Sequence, residues 1–559
     1  MPAYTPFEIS DFKTGYFTGL EPWKAPADAF PTLLDARVEK GVLEKRHGYK
    51  ELADTGAGYP IMGIAGTVQD GHPHYLVCDT KRVYLFRPYA ETLTDLVESD
   101  VFSGTNRDYF WFDTWADKCF FSNGKQLYYY DAAADTTAAL STEGDVAIAG
   151  AKMIFHYHGR LIFVMPNVSP KWYPRRMYYT NVNTTTVDSS NYVNGDFADM
   201  PMTGCYIGNE PYIFCREGTV LRIRYTQNSD TPFTFETVTS DYPVLGPFPA
   251  PTFQDGAWIV GGSRVMRFDR YEMKILDHAV RDIVDEIELT KSWWLSAAVR
   301  KDKNLLYMTY TNADSSTPDR IVEYSYDEGN FAIARIAASV LHGTTGHIVP
   351  SWEDLETVLG GTAAMEASSE KDVIHHPDYG AMMLMGGLTG KVHLLDYGDD
   401  DDGSDIDMEV WTAAFNPFAK QGRKVKFGKL RMLVDSDSTA SFTVGFYKDL
   451  SSTAYKTTTA DCTGSGDQHW ITLHPDGEVG NFHRISFTNS ASDNRPRIHA
   501  MILEMAPAGK LDTGGAETEI EGDATTAGTS LWRWVQNDDG DLELQRKISG
   551  TWTKRSLWD

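Results

Sequence analysis

One arrangement recurs between residues 58 and 397: a short apolar strand, a turn, a second strand, another turn and an aromatic strand. Ile61-Met62-Gly63-Ile64-Ala65 leads to His74-Tyr75-Leu76-Val77-Cys78 and then Arg82-Val83-Tyr84-Leu85-Phe86. Tyr109-Phe110-Trp111-Phe112 leads to Lys118-Cys119-Phe120-Phe121, the turn Ser122-Asn123-Gly124-Lys125 and Leu127-Tyr128-Tyr129-Tyr130. The unit returns around Met153-Ile154-Phe155, Gly204-Cys205-Tyr206-Ile207, Gly256-Ala257-Trp258 and Asn304-Leu305-Leu306, and a last time at Ala381-Met382-Met383 with Val392-His393-Leu394-Leu395. About seven units of roughly 35 to 60 residues each fit the spacing of propeller blades. The fold class expected is all-β, a propeller over 58–398. A sandwich of similar hairpins is the competing arrangement, since no fixed signature word repeats.

One stretch departs from the strand pattern. Ile275, Ala279, Ile283, Val284 and Ile287 recur near helical spacing, which predicts a short helix inserted between blades. Ahead of the repeats, residues 1–57 read as an extended, Pro-bearing arm ending in a strand pair, with Gly41 placed to supply the positive φ of its turn. Behind them, Asp399-Asp400-Asp401-Asp402-Gly403-Ser404-Asp405 reads as a solvated acidic linker over 399–409.

A different spacing follows. Val425 and Phe427 alternate with Lys424 and Lys426, and the phase shifts after Gly428, so that Leu430 and Met432 alternate with Lys429 and Arg431. A glycine at a phase shift predicts a β-bulge. With the strands around Phe442 and Ile485, and Ile498-His499-Ala500-Met501-Ile502-Leu503, this predicts a β-sandwich over 410–506. Residues 507–530, rich in Gly, Ala, Thr and acids, read as a flexible linker. Leu531-Trp532-Arg533-Trp534-Val535 and Leu542-Glu543-Leu544-Gln545 flank Asp538-Asp539-Gly540 as a C-terminal hairpin over 531–559. So aromatic a hairpin is barely stable alone, and docking on its own chain or a neighbour is expected, with Trp532 and Trp534 as contact candidates.

The charge excludes some functions. A formal net charge of −27 is opposite in sign to what tight nucleic-acid binding needs. It suits DNA passing nearby without sticking, and solubility before assembly. Five cysteines with no CxxC pair make a disulfide framework or zinc site an unfavoured reading. The N-terminus lacks the pattern of a secretory signal, and no apolar run approaches membrane-spanning length. The chain contains no P-loop, GxGxxG before a helix, GxSxG or HExxH, and the expectation is a protein that is not an enzyme, with no cofactor.

Other candidate sites are weaker. The acidic run admits a calcium reading with Asp400, Asp402 and Glu409 as ligands, but the first ligand position is Gly398 and no flanking helices are predicted. His156 and His158 stand two apart in a strand and could share a face, with no third ligand fixed by sequence. Ser325-Tyr326-Asp327-Glu328-Gly329-Asn330-Phe331 is a single partial copy of the hairpin that sialidase-type propellers repeat. The basic stretch Lys424, Lys426, Lys429 and Arg431 reads either as charge that protects an edge strand or as a docking face for an acidic neighbour.

The segment Leu34-Asp35-Ala36-Arg37-Val38-Glu39-Lys40-Gly41-Val42-Leu43-Glu44-Lys45-Arg46-His47-Gly48-Tyr49 resembles the N-terminal strand pair of phage tail β-propeller proteins, with His47 where proline is common. Phe415-Asn416-Pro417-Phe418-Ala419-Lys420-Gln421-Gly422 and Gly480-Asn481-Phe482-His483-Arg484-Ile485-Ser486-Phe487-Thr488-Asn489 resemble the sandwich that follows the propeller in such virion proteins. The resemblance implies a nozzle or tail-tube component of a short-tailed phage, assembled in the bacterial cytoplasm and located in the virion tail. It further implies identical subunits in a ring, often six, contacts with portal, adaptor and tail fibres, and passage of DNA during ejection. No catalytic residue is carried over. The rival expectations are a receptor- or glycan-binding propeller at the tail tip and a polysaccharide depolymerase.

Overall fold

Apolar residues at every second position need a partner strand on each side and a packed face, and the computed structural model shows how both are supplied. It describes residues 4–344 and 382–510, loop gaps of one to three residues aside, and three strands between 532 and 554. The fold is all-β: a propeller with additional sheets that form a sandwich, and a separate small sheet near the C-terminus.

Six blades are self-contained sheets. Blade 1 runs from Ile61–Gln69 to Thr92–Asp95, blade 2 from Trp111–Trp115 to Thr136–Ala139, and blade 3 from Gly150–Tyr157 to Tyr192–Asn194. Blade 4 runs from Pro201–Ile207 to Phe233–Thr239 and blade 5 from Thr252–Phe253 to Met273–Ile275. The last blade pairs Val340–Gly343, Met383–Gly386 and Lys391–Leu395 with Tyr49–Asp54. The ring is therefore closed by a strand from before the first blade. A further four-stranded unit, Ser296–Arg300 to Phe331–Ala334, occupies the position before that last blade but is one end of a nine-stranded sheet. The expected count of about seven units thus resolves into six separate blades and one that merges into the sandwich.

Neighbouring blades are stitched through polar bonds as well as apolar packing. Phe110 N donates to Met62 O at 3.2 Å, and Trp111 Nε1 to Ile154 O at 2.6 Å. Ala250 N donates to Gly204 O at 3.0 Å, Leu341 N to Ser296 Oγ at 3.1 Å, and Ser339 Oγ to Ile61 O at 2.6 Å, which joins the last blade to the first. Each bond satisfies a buried group that an apolar seam would leave costly. The turn at Ser122-Asn123-Gly124-Lys125 forms as its residues dictate: Asn123 Oδ1 accepts from Lys125 N and Gln126 N, and Gly124 takes φ 86°.

The short helix is found at Arg281–Glu286, followed by a 3-10 segment at Leu289–Trp294. Val280, Ile283 and Ile287 bury themselves in the sandwich-side core.

The nine-stranded sheet carries the propeller into the sandwich. Phe331–Ala334 pairs in parallel with Thr32–Leu34, which pairs with Ile406–Trp411; His483–Ala491, Ser441–Lys448 and Lys456–Asp461 follow. Facing it is a seven-stranded sheet in the order His469–Leu473, Arg423–Ser436, Pro496–Lys510, Val42–Lys45 and Ala36–Glu39, with Thr5–Ile9 and Val479–Gly480 paired at its sides. Val425, Phe427, Leu430 and Met432 from one sheet meet Val410, Val444, Phe446 and Phe487 from the other in one core.

The bulge at Gly428 is present, as a register shift between Phe427 and Lys429 against Pro496–Lys510. The Tyr4 ring lies on Gly428 so closely that a Cβ there would stand 2.4 Å from it.

Two sequence readings are corrected. Arg423–Ser436 is not an edge strand, because Pro496–Lys510 pairs on one side and His469–Leu473 with Val479–Gly480 on the other. The edge-protection reading of its lysines therefore falls. The acidic run is not a free linker: Gly48 N and Tyr49 N donate to Gly398 O and Asp400 O, and Asp402 N donates to Tyr49 O. Ile406–Trp411, taken partly as linker, is a sheet strand.

From residue 4 on, strands of the arm are shared among the two large sheets and the last blade, and Gly15–Tyr16 pairs with Ala29–Phe30 in a small parallel sheet of its own. Residues 507–510 continue the long strand Pro496–Lys510, while 511–530 lie outside the described residues.

Candidate functional site

A dense set of buried ion pairs lies where propeller, sandwich and N-terminal hairpin meet. The hairpin Ala36–Glu39 and Val42–Lys45 is fixed by its turn, where Lys40 and Gly41 both take positive φ. It points Arg37 inward. The Arg37 guanidinium donates to Glu44 at 2.8 Å, Glu39 at 2.9 Å and Asp396 at 2.7 Å. Asp396 follows the last strand of the final blade and also receives Arg300 at 2.6 Å and Lys303 at 2.8 Å from the merged blade.

Burial alone would raise the Asp396 carboxyl, but Arg37, Lys303 and Arg300 hold it well below the usual carboxylate range. Glu323 lies in the same buried cage and responds oppositely. Burial pushes its carboxyl up to about 7, against the pull of Arg37. One carboxyl keeps its charge there, and its neighbour gives it up near neutrality. The cage thereby limits how many charges stay buried without a partner.

A second knot sits beside it. Asp35, at φ 52°, accepts Arg46 Nε at 2.7 Å and Arg335 N at 2.9 Å. Arg46 then grips Asp401 with two parallel bonds of 2.7 and 2.6 Å. Lys45 reaches across to Asn489 Oδ1 at 3.1 Å and to the carbonyl of Ala491 in the sandwich. His47 receives the Arg495 guanidinium; its imidazole is held down to about 3 by burial and by neighbouring Arg37, so it is neutral and able to accept.

Three segments singled out from the sequence are linked through the strand His483–Ala491, one at its first residue and one near its far end. Phe415 and His483 exchange two backbone hydrogen bonds, of 2.7 and 3.1 Å, and Lys45 ties the hairpin to Asn489.

The remaining candidates are placed as follows. Lys429 and Arg431 both face Glu504 on the adjacent strand, at 4.0 and 2.6 Å. Lys424 and Lys426 are half-buried on the same sheet, opposite to the core-facing Val425 and Phe427. Asp400, Asp402 and Glu409 do not converge. Asp400 caps Gly403 N at 3.0 Å, Asp402 accepts Glu51 N at 3.3 Å, and Glu409 accepts Trp411 Nε1 at 3.0 Å from its own strand. Among the described residues no group of three His, Cys, Asp or Glu is placed to hold a metal ion, and the five cysteines are buried and unpaired. Trp532 and Trp534 belong to a three-stranded antiparallel sheet, opposite Arg546 and Leu544; their side chains lie outside the described residues. His156 is the next-to-last residue of the strand Gly150–Tyr157, whereas His158 sits in the following turn at φ 50°.

Sequence reasoning missed the cage. Arg37 and Arg46 lay inside a segment already marked, and their burial in a hairpin was the available signal; nothing local pointed to Asp396.

No family model and no curated protein matches the chain. Among solved structures, the crystal structure of the computationally designed Ika8 protein is similar over 62% of this chain and 99% of that one, at 8% identity and a TM-score of 0.34. A likeness of that size carries no argument.

Proposed function

We propose that the chain is a structural subunit of a short-tailed bacteriophage tail, a nozzle or tube component whose copies ring the path of the ejected genome. The observation that carries this reading is that Leu34–Tyr49 and Phe415–Gly422 both contact the Gly480–Asn489 segment, the first from the ion-paired junction at Asn489 and the second at His483. Segments that resemble the same virion proteins in three separate places form one contiguous part of the molecule. The buried ion pairs of that junction fix propeller against sandwich in a single arrangement, which a particle component under mechanical stress requires.

A cavity of about 250 Å³ lies among blades 1, 2 and 5, the merged blade and the last blade, lined by Phe110, Phe248, Ser296 and His342, and is far too small for a duplex. In this reading the path runs between copies. A chain of net charge −27 lines such a path without binding the phosphate backbone, so the genome slides. The basic strand Arg423–Ser436, on an otherwise acidic chain, is the face on which a neighbouring copy docks.

Microscopy of purified particles tests the proposal. The expected result is density for this chain in a ring on the tail axis. Its absence from particles, or a place away from that axis, overturns the reading. Hydrolysis of capsule by the purified chain would instead establish a depolymerase.

A further inference from the structure

Blade 3 differs from its neighbours in charge. Blades 1, 2, 4 and 5 each carry three or four Asp or Glu between their first and last strands. Blade 3, from Gly150 to Asn194, carries one, Asp188, against five Lys or Arg. In a chain of net charge −27 that is a local reversal of sign. Asp188 accepts Asn181 Nδ2 at 3.1 Å, past the Tyr179 end of the strand Arg176–Tyr179. Lys152, Lys171, Arg175 and Arg176 gather towards its other end, where Lys171–Trp172 pairs with Asn167 and Val168.

These four cations have no carboxylate partner among the described residues. Arg175 donates to Phe197 O at 3.1 Å, and Arg176 to Asn194 Oδ1 at 2.7 Å and the Tyr178 hydroxyl at 3.0 Å, all uncharged oxygens. Lys152 and Lys171 donate to nothing among the described residues, and both ammonium groups reach solvent. Burial, with Lys125 beside it, pulls Lys152 below the usual lysine range against the draw of Asp108, which is itself paired with Lys125 at 2.8 Å. An anion arriving at these ammonium groups meets no competing carboxylate.

One ring face is open beside them. Lys171 and Arg176 lie over Tyr173 at 4.9 and 4.3 Å, and Arg176 also over Tyr192 at 4.2 Å, so those rings serve to hold the cations. Trp172 is different. Its ring edge and the Lys152 stem both cross Gly124 of blade 2, where a Cβ would stand 3.3 Å from Trp172 and 3.8 Å from Lys152. The indole is nevertheless 42% exposed.

An open indole face bordered by unpaired ammonium groups fits a ligand that is apolar on one face and anionic at its rim. An acidic sugar has both, a C–H face and a carboxylate. Charge density separates it from nucleic acid. Duplex DNA carries a charge about every 1.7 Å, which the rest of so acidic a chain repels. A uronate chain carries at most one per sugar ring, so a few local cations suffice.

We propose that this end of blade 3 binds an acidic polysaccharide, with Trp172 packing on a sugar ring and Lys152 and Lys171 pairing with its carboxylates. The inference goes beyond the tail assignment and does not depend on it.

The test titrates the full chain with uronate oligosaccharides from alginate and polygalacturonate, with dextran and oligothymidylate as comparators. At least one uronate oligosaccharide should bind, more weakly as salt rises, and dextran should not. Trp172→Ala, and Lys152→Met with Lys171→Met, should each weaken binding by about tenfold or more. Trp470→Ala, at an exposed tryptophan of the sandwich, should leave it unchanged. Wild-type protein supplies a readout that needs no variant to fold: the bound oligosaccharide should slow acetylation of Lys152 and Lys171, followed by mass spectrometry, and not that of the exposed Lys24 in the N-terminal arm. No uronate oligosaccharide bound, dextran bound equally, oligothymidylate bound more tightly, binding that survives both sets of substitutions, or unprotected Lys152 and Lys171 would each overturn the proposal.

Discussion

Arg37 and Asp396 stand 359 positions apart in the chain and meet at 2.7 Å, each with its side chain only 4% exposed. The pair joins the N-terminal hairpin to the end of the last blade. Arg300 and Lys303 share the same carboxylate.

Removing that carboxylate takes a partner from three cations at once, although Arg37 keeps Glu44 and Glu39 and Arg300 keeps Asp302. Asp396→Asn should therefore cost about 3–5 kcal/mol at neutral pH, the usual penalty for breaking a buried pair on one side. The pH dependence has a definite sign. The Asp396 carboxyl is held below its ordinary range, so its contribution is complete above the unfolded value near 3.8 and is lost as pH falls below it. Denaturant unfolding of wild type and variant should show a wide gap at pH 7 that narrows towards pH 3. A gap that stays constant over that range would refute the charge account.

Gly48 is a second point of control. A Cβ at this position would stand 1.5 Å from the carbonyl oxygen of Asp400, a backbone atom with no flexible end to move. Gly48→Ala should push the acidic run away and loosen the Arg46–Asp401 pair. A loss at or above the upper end of the roughly 1–3 kcal/mol seen for overpacking is expected. Calorimetry of the variant checks it; an unchanged unfolding temperature would show that the run yields freely.

The blades were legible because their information is local. Short apolar runs such as Leu161-Ile162-Phe163-Val164 and turn residues such as Asn123-Gly124 specify strands and hairpins without reference to the rest of the chain. The bulge at Gly428 was legible for the same reason. What could not be read is pairing across long separations. Ile333 lies beside Leu34, and Lys391–Leu395 beside Tyr49–Asp54, with nothing in either segment to name the other. The acidic run misled because Asp401 in a buried pair and Asp402 at the surface are the same residue type in the same string. Strand spacing singled out His156 together with His158, but Asp113 and Tyr206 come from other blades and meet His156 only through the ring.

The basic strand yields a sharper assembly test than composition allowed. Lys429 and Arg431 face Glu504 within their own chain, so their reversal would disturb the sheet as well as any contact. Lys424 and Lys426 stand near the start of the strand, opposite Ala508 and Ala506 rather than Glu504. Lys424→Glu with Lys426→Glu should leave the monomer folded while reducing self-association, read by sedimentation velocity across protein concentration and salt. Rings that form as readily as in wild type would remove this face from the interface.

Asp113 gives the clearest titration. Burial pushes its carboxyl up to about 6, even though Tyr206 and the His156 N–H favour the charged form. A group raised in the folded state contributes stability that is complete below its unfolded value near 3.8 and is lost as pH rises through 6. A rise of about two pH units corresponds to about 3 kcal/mol. Asp113→Asn keeps an oxygen that can accept the Tyr206 hydroxyl and the His156 N–H, but never ionises. The variant should therefore match wild type near pH 4 and exceed it at pH 8, by up to that amount. Thermal unfolding of both proteins across pH 4–8 measures the difference. Equal curves at pH 8 would mean that the hydrogen bonds from Tyr206 and His156 suffice to keep the carboxylate charged.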